Sequence, residues 1–167
     1  MIIHVKVRIS LRYALKDMHE MLGNIVGGDA LIAPPSTKLS EYGLITKKYI
    51  ENINEVYDDV FVDRYVIMPN HIHMIIIVKN GESRKGHGAM RGNGECCESM
   101  RASTPTAAII PGIIRSLKIL VTKECGFSIW QRSYHDRIIR NTEEYHKIRQ
   151  YIKENPSKWQ DDKYYTK

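Results

Sequence analysis

With 167 residues, 43% of them hydrophobic, the chain can bury a sizeable core and still form a single domain. No apolar run reaches membrane-spanning length, and Met1 to Arg8 lacks the apolar core and cleavage site of a signal peptide, so a cytoplasmic protein with no membrane partner is expected. Three cysteines, two of them adjacent (Cys96 and Cys97), argue against a disulfide framework. The net charge of +6 is uneven: residues 112–167 hold 12 Lys and Arg against 7 Asp and Glu. A basic final third suits a polyanion partner, although a modest surplus is also an ordinary aid to solubility.

Ile2 to Ile9 alternates well enough to predict a strand. Leu15, Met18, Met21, Leu22 and Ile25 are spaced by three and four, which predicts a short helix over 15–25. Gly27-Gly28-Asp29 and Ala33-Pro34-Pro35-Ser36 mark an irregular connection, and residues 1–40 read as a variable N-terminal part. A helix is predicted from Ser40, its cap, to Tyr57, with Leu44, Ile45, Tyr49, Ile53, Val56 and Tyr57 as its stripe.

Asp63 to Val78 is apolar and β-prone except for Pro69-Asn70 in its middle, which predicts two strands joined by a tight corner. Residues 81–104 are rich in Gly and Asn and poor in apolar residues, the composition of a flexible loop rather than a second domain. A zinc site from His87, Cys96 and Cys97 can be imagined there, but the spacing fits no usual ligand pattern. Pro111 is expected to open a helix ending near Glu124, with Gly126 as its stop and Ile113, Ile114, Leu117, Leu120 and Val121 buried. Arg115, Lys118 and Thr122 share another face of it, either merely solvated or tracking a phosphate backbone. Tyr134 to Ile139 reads as a short strand. Asn141 with Glu144 three residues later opens a last helix, which Pro156 stops near Glu154 or Asn155. The order of elements predicts an α+β domain, an antiparallel or mixed sheet with helices packed on it.

The chemistry starts from the second strand of the corner. Side chains alternate along a strand, so His71 and His73 project from one face, two imidazoles where a metal ion needs three or more ligands. Tyr151 and Asn155 lie four apart and stack on one helix face. If that face covers the histidines, Asn155 can complete the metal site, with Tyr151 one turn away as a nucleophile. A metal, a tyrosine and a basic surface together suit phosphodiester chemistry. Each residue also has a plainer reading: a hydrogen-bonded structural histidine, a core tyrosine, a helix-stopping asparagine. Tyr134 and Tyr145 remain rival nucleophiles on position alone.

Met68-Pro69-Asn70-His71-Ile72-His73-Met74-Ile75, Ile129 to Asn141 and Tyr151-Ile152-Lys153-Glu154-Asn155-Pro156 closely resemble the IS200-like transposase family. Within it, the nearest branch is that of the REP-associated tyrosine transposases, single-tyrosine HUH enzymes. The resemblance runs from about Glu41 to the C-terminus. It implies a ferredoxin-like antiparallel sheet with packed helices, the HUH endonuclease and transposase domain, over residues 1–167. It implies that His71, His73 and Asn155 bind Mg²⁺ or Mn²⁺. It also implies that Tyr151 forms a 5′-phosphotyrosine link to single-stranded, hairpin-bearing DNA, leaving a free 3′-OH. Arg115, Lys118, Arg132, Arg137 and Arg140 are the expected DNA contacts, and a homodimer is the expected assembly. The first strand departs from the family: Val5 to Leu15, carrying Arg8 and Arg12, is a blurred version of it. Two other functions stand beside this one: a DNA-binding relic or domesticated regulator without catalysis, and a zinc hydrolase that would need a carboxylate beside the histidines.

Overall fold

The computed structural model describes residues 5–27, 35–79 and 105–165. The loop expected over 81–104, with His87, Cys96 and Cys97, lies outside the described residues. The main sheet has four antiparallel strands in the order β4-β5-β1-β6: β1 Val5–Ala14, β4 Val60–Ile67, β5 His71–Lys79 and β6 His135–Ile139. The first strand is therefore not marginal. It is central, paired along its length with β5 and over Arg8–Arg12 with β6. The expected start at Ile2 lies among residues that are not described.

Along β5 the alternation is plain in the packing. Ile72, Met74, Ile76 and Val78 join the larger core, under the helices α1 (Glu41–Val56) and α2 (Pro105–Cys125). Ile75 and Ile77 face the other way and meet Ile152 of the helix α3 (Thr142–Glu154). His71 and His73 are on that second face, so α3 and the chain following it cover the histidines.

Residues 15–25 do not form the predicted helix. They contain a 3₁₀ turn, Lys16–Met18, and then β2 (Gly23–Val26), which pairs with β3 (Ser36–Leu39) in a small separate sheet. The backbone donors there go to neighbouring segments: Leu15 N–H to the Asn70 carbonyl, Lys16 N–H to Ile129 and Leu22 N–H to Pro69. Long-range partners outcompete the i−4 ladder, while the apolar spacing still serves burial, with Leu15 and Leu22 fully buried. A side chain at Gly23 would strike the Lys38 carbonyl oxygen, so only glycine lets β2 and β3 approach.

α1 is capped as expected, the Ser40 hydroxyl accepting from Gly43 N–H at 3.2 Å. Of the predicted stripe, Ile53 is buried and Ile45, Tyr49 and Tyr57 pack against the core, while Leu44 and Val56 are exposed; the fully buried line runs through Gly43, Thr46, Ile50 and Ile53. Gly43 joins the buried line because it sits against the Leu22 carbonyl, where no Cβ fits, and Thr46 because its hydroxyl is satisfied on the Tyr42 carbonyl. α2 begins at Pro105, before the expected Pro111, and its buried line continues upstream through Ile110. Leu120, predicted to be buried, is 38% exposed. α3 is capped by Asn141, whose side chain accepts from Glu144 N–H at 2.7 Å. Asn155–Asp161 continues it as a 3₁₀ helix with Pro156 in its first turn.

Candidate metal centre and nucleic-acid groove

The corner between β4 and β5 buries Asn70, His71 and His73, none of them more than 6% exposed. The two Nε2 atoms lie 3.1 Å apart. Ligand–metal distances of about 2.0–2.2 Å place neighbouring ligand atoms about 3 Å from one another, so this spacing fits two ligands of one ion. The chain after α3 brings a third donor. Asp162 Oδ2 is 3.8 Å from His71 Nε2, and one ligand atom from each of His71, His73 and Asp162 falls within 4.8 Å of the others. Asp162 Oδ1 accepts from Tyr164 N–H at 2.8 Å, which turns Oδ2 toward the histidine.

Asn155 is 2% exposed, and its Oδ1 is a buried oxygen without a hydrogen-bond partner. An orphaned buried acceptor of this kind, at the C-terminal end of α3, is a group that a cation can satisfy. Two imidazoles, a carboxylate and an amide oxygen together suit Mn²⁺ or Zn²⁺ better than Mg²⁺.

Burial, and after it the positive charge of neighbours including Arg12, pushes both histidines down to about 3, so each is a neutral ligand at physiological pH. The Tyr151 ring meets the His73 ring edge-on at 5.3 Å and is 43% exposed. Burial, then the Asp162 carboxylate, raises its phenol above the usual tyrosine value. A hydrogen bond from the Asn155 side chain and the charge of Arg12 work the other way.

Sequence reasoning missed Asp162 and Arg12. Asp162 follows a 3₁₀ turn that breaks helical periodicity, so no spacing rule linked it to the histidines. Arg12 had a usable signal: it sits opposite His73 in the β1–β5 register, and strand alternation places it on the same face. Its guanidinium lies 5.1 Å from the centre of the Tyr164 ring, and its Nε has no hydrogen-bond partner. Tyr134 lies on the α2 side of the molecule, packed against the larger core. Tyr145 donates to Asp63 at 2.9 Å. Neither rival meets the histidines as Tyr151 does.

A groove of about 1110 Å³ runs along α2, away from the histidines. Arg115, Lys118, Lys123, Arg132 and Lys16 line it together with Trp130 and Tyr134. Lys118 reaches the Gln131 carbonyl at 2.9 Å, tying the 127–134 segment to α2. The groove and the metal-type site share β1: Gln131 N–H bonds the Ala14 carbonyl, and Ala14 is the register partner of His71. Of the five expected DNA contacts, Arg115, Lys118 and Arg132 meet in this groove. Arg137 is on the edge strand β6, 2.6 Å from Glu144, and Arg140 follows that strand.

No family model matches the chain. An uncharacterized protein of Haemophilus influenzae is 32% identical over 138 residues, covering 77% of this chain and 72% of the relative. A REP-associated tyrosine transposase, solved bound to a REP hairpin, superposes with a TM-score of 0.58 at 17% identity, over 95% of this chain and 72% of that one. At the level of the fold, this bears out the resemblance carried by the three motifs.

Proposed function

The chain belongs to the family of the Haemophilus influenzae protein and has the fold of a REP-associated tyrosine transposase, and on that ground we propose that it is a metal-dependent DNA transesterase of the single-tyrosine HUH type. One observation carries the reading: a metal-type pair of neutral histidines with the Tyr151 ring seated against one of them.

His71, His73, Asn155 and the Asp162 carboxylate would hold a divalent ion, which supplies positive charge to a non-bridging phosphate oxygen. Arg12, on the same face, is placed to hold that phosphate as a second cation. Tyr151, a partly exposed residue, loses its Oη proton to solvent and attacks phosphorus. The new P–O bond makes a 5′-phosphotyrosine, and the broken P–O3′ bond leaves a 3′-oxygen that takes up a proton. The Asn155 side chain favours the phenolate by hydrogen bonding to it. Because Tyr151 meets His73 of its own chain, a homodimer is not needed for attack in cis. The α2 groove would guide a single strand or hairpin base from the site, its cations on phosphates and its aromatic rings beside bases. The chain would then act on DNA as the solved transposase's REP-hairpin complex suggests.

The test is a covalent protein–DNA adduct. A hairpin-bearing oligonucleotide with Mn²⁺ gives a species of shifted mobility in denaturing gels, and Tyr151→Phe gives none. An adduct from the Phe variant overturns the role of Tyr151. Asp162 beside the histidines also supplies the carboxylate that a zinc hydrolase requires. That alternative predicts strand hydrolysis with Zn²⁺ that survives Tyr151→Phe, whereas a DNA-binding relic predicts salt-sensitive binding and no product with any metal.

A further inference from the structure

Asn70 stands at the corner between β4 and β5, fully buried, and is neither a ligand nor a nucleophile in the reading above. Its Nδ2 donates to the backbone carbonyl of Tyr164 at 2.6 Å. A carbonyl can only accept, so the amide orientation is determined: Oδ1 is the end that faces His71 Nδ1, at 2.9 Å. An amide oxygen can only accept as well, so His71 Nδ1 must carry the hydrogen. In a neutral imidazole that leaves the lone pair on Nε2, the atom turned toward His73 and Asp162.

The backbone of Tyr164 acts twice. Its carbonyl accepts from Asn70, and its N–H donates to Asp162 Oδ1. The backbone of a single residue in the C-terminal segment thus orients both a carboxylate and the residue that sets the histidine.

We propose that Asn70, held by the Tyr164 carbonyl, is a positioning residue that locks His71 in the Nδ1–H tautomer and so presents Nε2 to a divalent cation. Histidine ligands generally depend on such an outer partner, whose loss costs about 10–100-fold in metal affinity. The 3.1 Å contact between the two Nε2 atoms then has one assignment in the metal-free chain: His73 carries its hydrogen on Nε2 and donates to His71. The inference rests on the metal-binding part of the proposed function and needs neither DNA nor Tyr151.

Long-range ¹H–¹⁵N spectra of the metal-free full chain at neutral pH read the tautomers directly. The expected result is Nδ1–H for His71 and Nε2–H for His73; Nε2–H on His71 overturns the proposal. Asn70→Leu removes the acceptor and is expected to populate the Nε2–H form of His71 and to weaken Mn²⁺ binding by about 10–100-fold. Asn70→Asp loses the donor to the Tyr164 carbonyl but keeps an acceptor oxygen for His71 Nδ1, and is expected to retain the Nδ1–H form. An Asn70→Leu chain with unchanged tautomer and unchanged Mn²⁺ affinity overturns the proposal. If that variant does not fold, the wild-type and Asn70→Asp spectra still decide. Correct tautomers with no DNA adduct would leave this inference standing and the transesterase reading refuted.

Discussion

His71 and His73 are held neutral chiefly by burial, and that has a consequence for stability. Their folded values are pushed down to about 3 from an unfolded value of 6.5. Below the unfolded value the unfolded chain binds protons that the native chain refuses. Their contribution to stability is therefore complete above pH 6.5 and is lost as pH falls toward 3. The slope approaches about 1.4 kcal/mol per pH unit for each histidine. Urea midpoints of metal-free protein should fall from pH 7 to pH 5, and the double variant His71→Gln, His73→Gln should show a shallower decline. Equal slopes would mean that other groups govern the acid limb. Arg12 carries a different prediction. Without it, the phosphate loses its second cation, so Arg12→Ala should slow adduct formation at saturating DNA more than it weakens oligonucleotide binding. An equal loss in both would assign Arg12 to binding alone.

The helices show how a short-range signal acquires its meaning. Asn141 and Ser40 cap α3 and α1 through bonds that local sequence is enough to foresee, because partner and cap lie three residues apart. The buried face of α1 was foreseeable only in part: Ile45, Tyr49, Ile53 and Tyr57 pack against the core as their spacing predicts, whereas the burial of Gly43 depends on the distant Leu22 carbonyl that lies against it. Gly43→Ala is the corresponding prediction. Although alanine is the better helix former, the new methyl meets a fixed backbone oxygen, so stability should fall by about 1–3 kcal/mol in equilibrium denaturation. A neutral or stabilising outcome would show that α1 can slide away from Leu22.

Across the whole molecule, β1 joins the two functional regions. It faces the histidines through Arg12, the turn directly after it carries Lys16 into the lining of the α2 groove, and it lies between β5 and β6 in the sheet. The basic residues fall into two groups on this frame: Arg115, Lys118 and Arg132 in the groove, and Arg137 on the outer strand, engaged by Glu144. If the groove carries single-stranded DNA, Arg115→Ala with Arg132→Ala should reduce the slope of log affinity against log salt by about 1.4, from about 0.7 per lost phosphate contact. Arg137→Ala is the contrasting variant and should change the slope less. Equal changes would move the DNA path off α2. Among the described residues, no helix is long and apolar enough to cross a membrane.

The sequence by itself determined what local rules can reach. Period-two alternation put His71 and His73 on one face, and a capped period of three and four put Tyr151 and Asn155 on one face of α3. Three motifs in order identified the fold that the superposition bears out. Only the tertiary structure decided the rest. It made the Arg-bearing first strand the centre of the sheet and turned residues 15–25 into a 3₁₀ turn and a strand. It also returned Asp162 and the Tyr164 peptide to the histidines. The physical reason is the same in each case. These features depend on hydrogen bonds and contacts between segments far apart in the chain, whose free energy outweighs local propensity and leaves no periodic trace in the residues that make them.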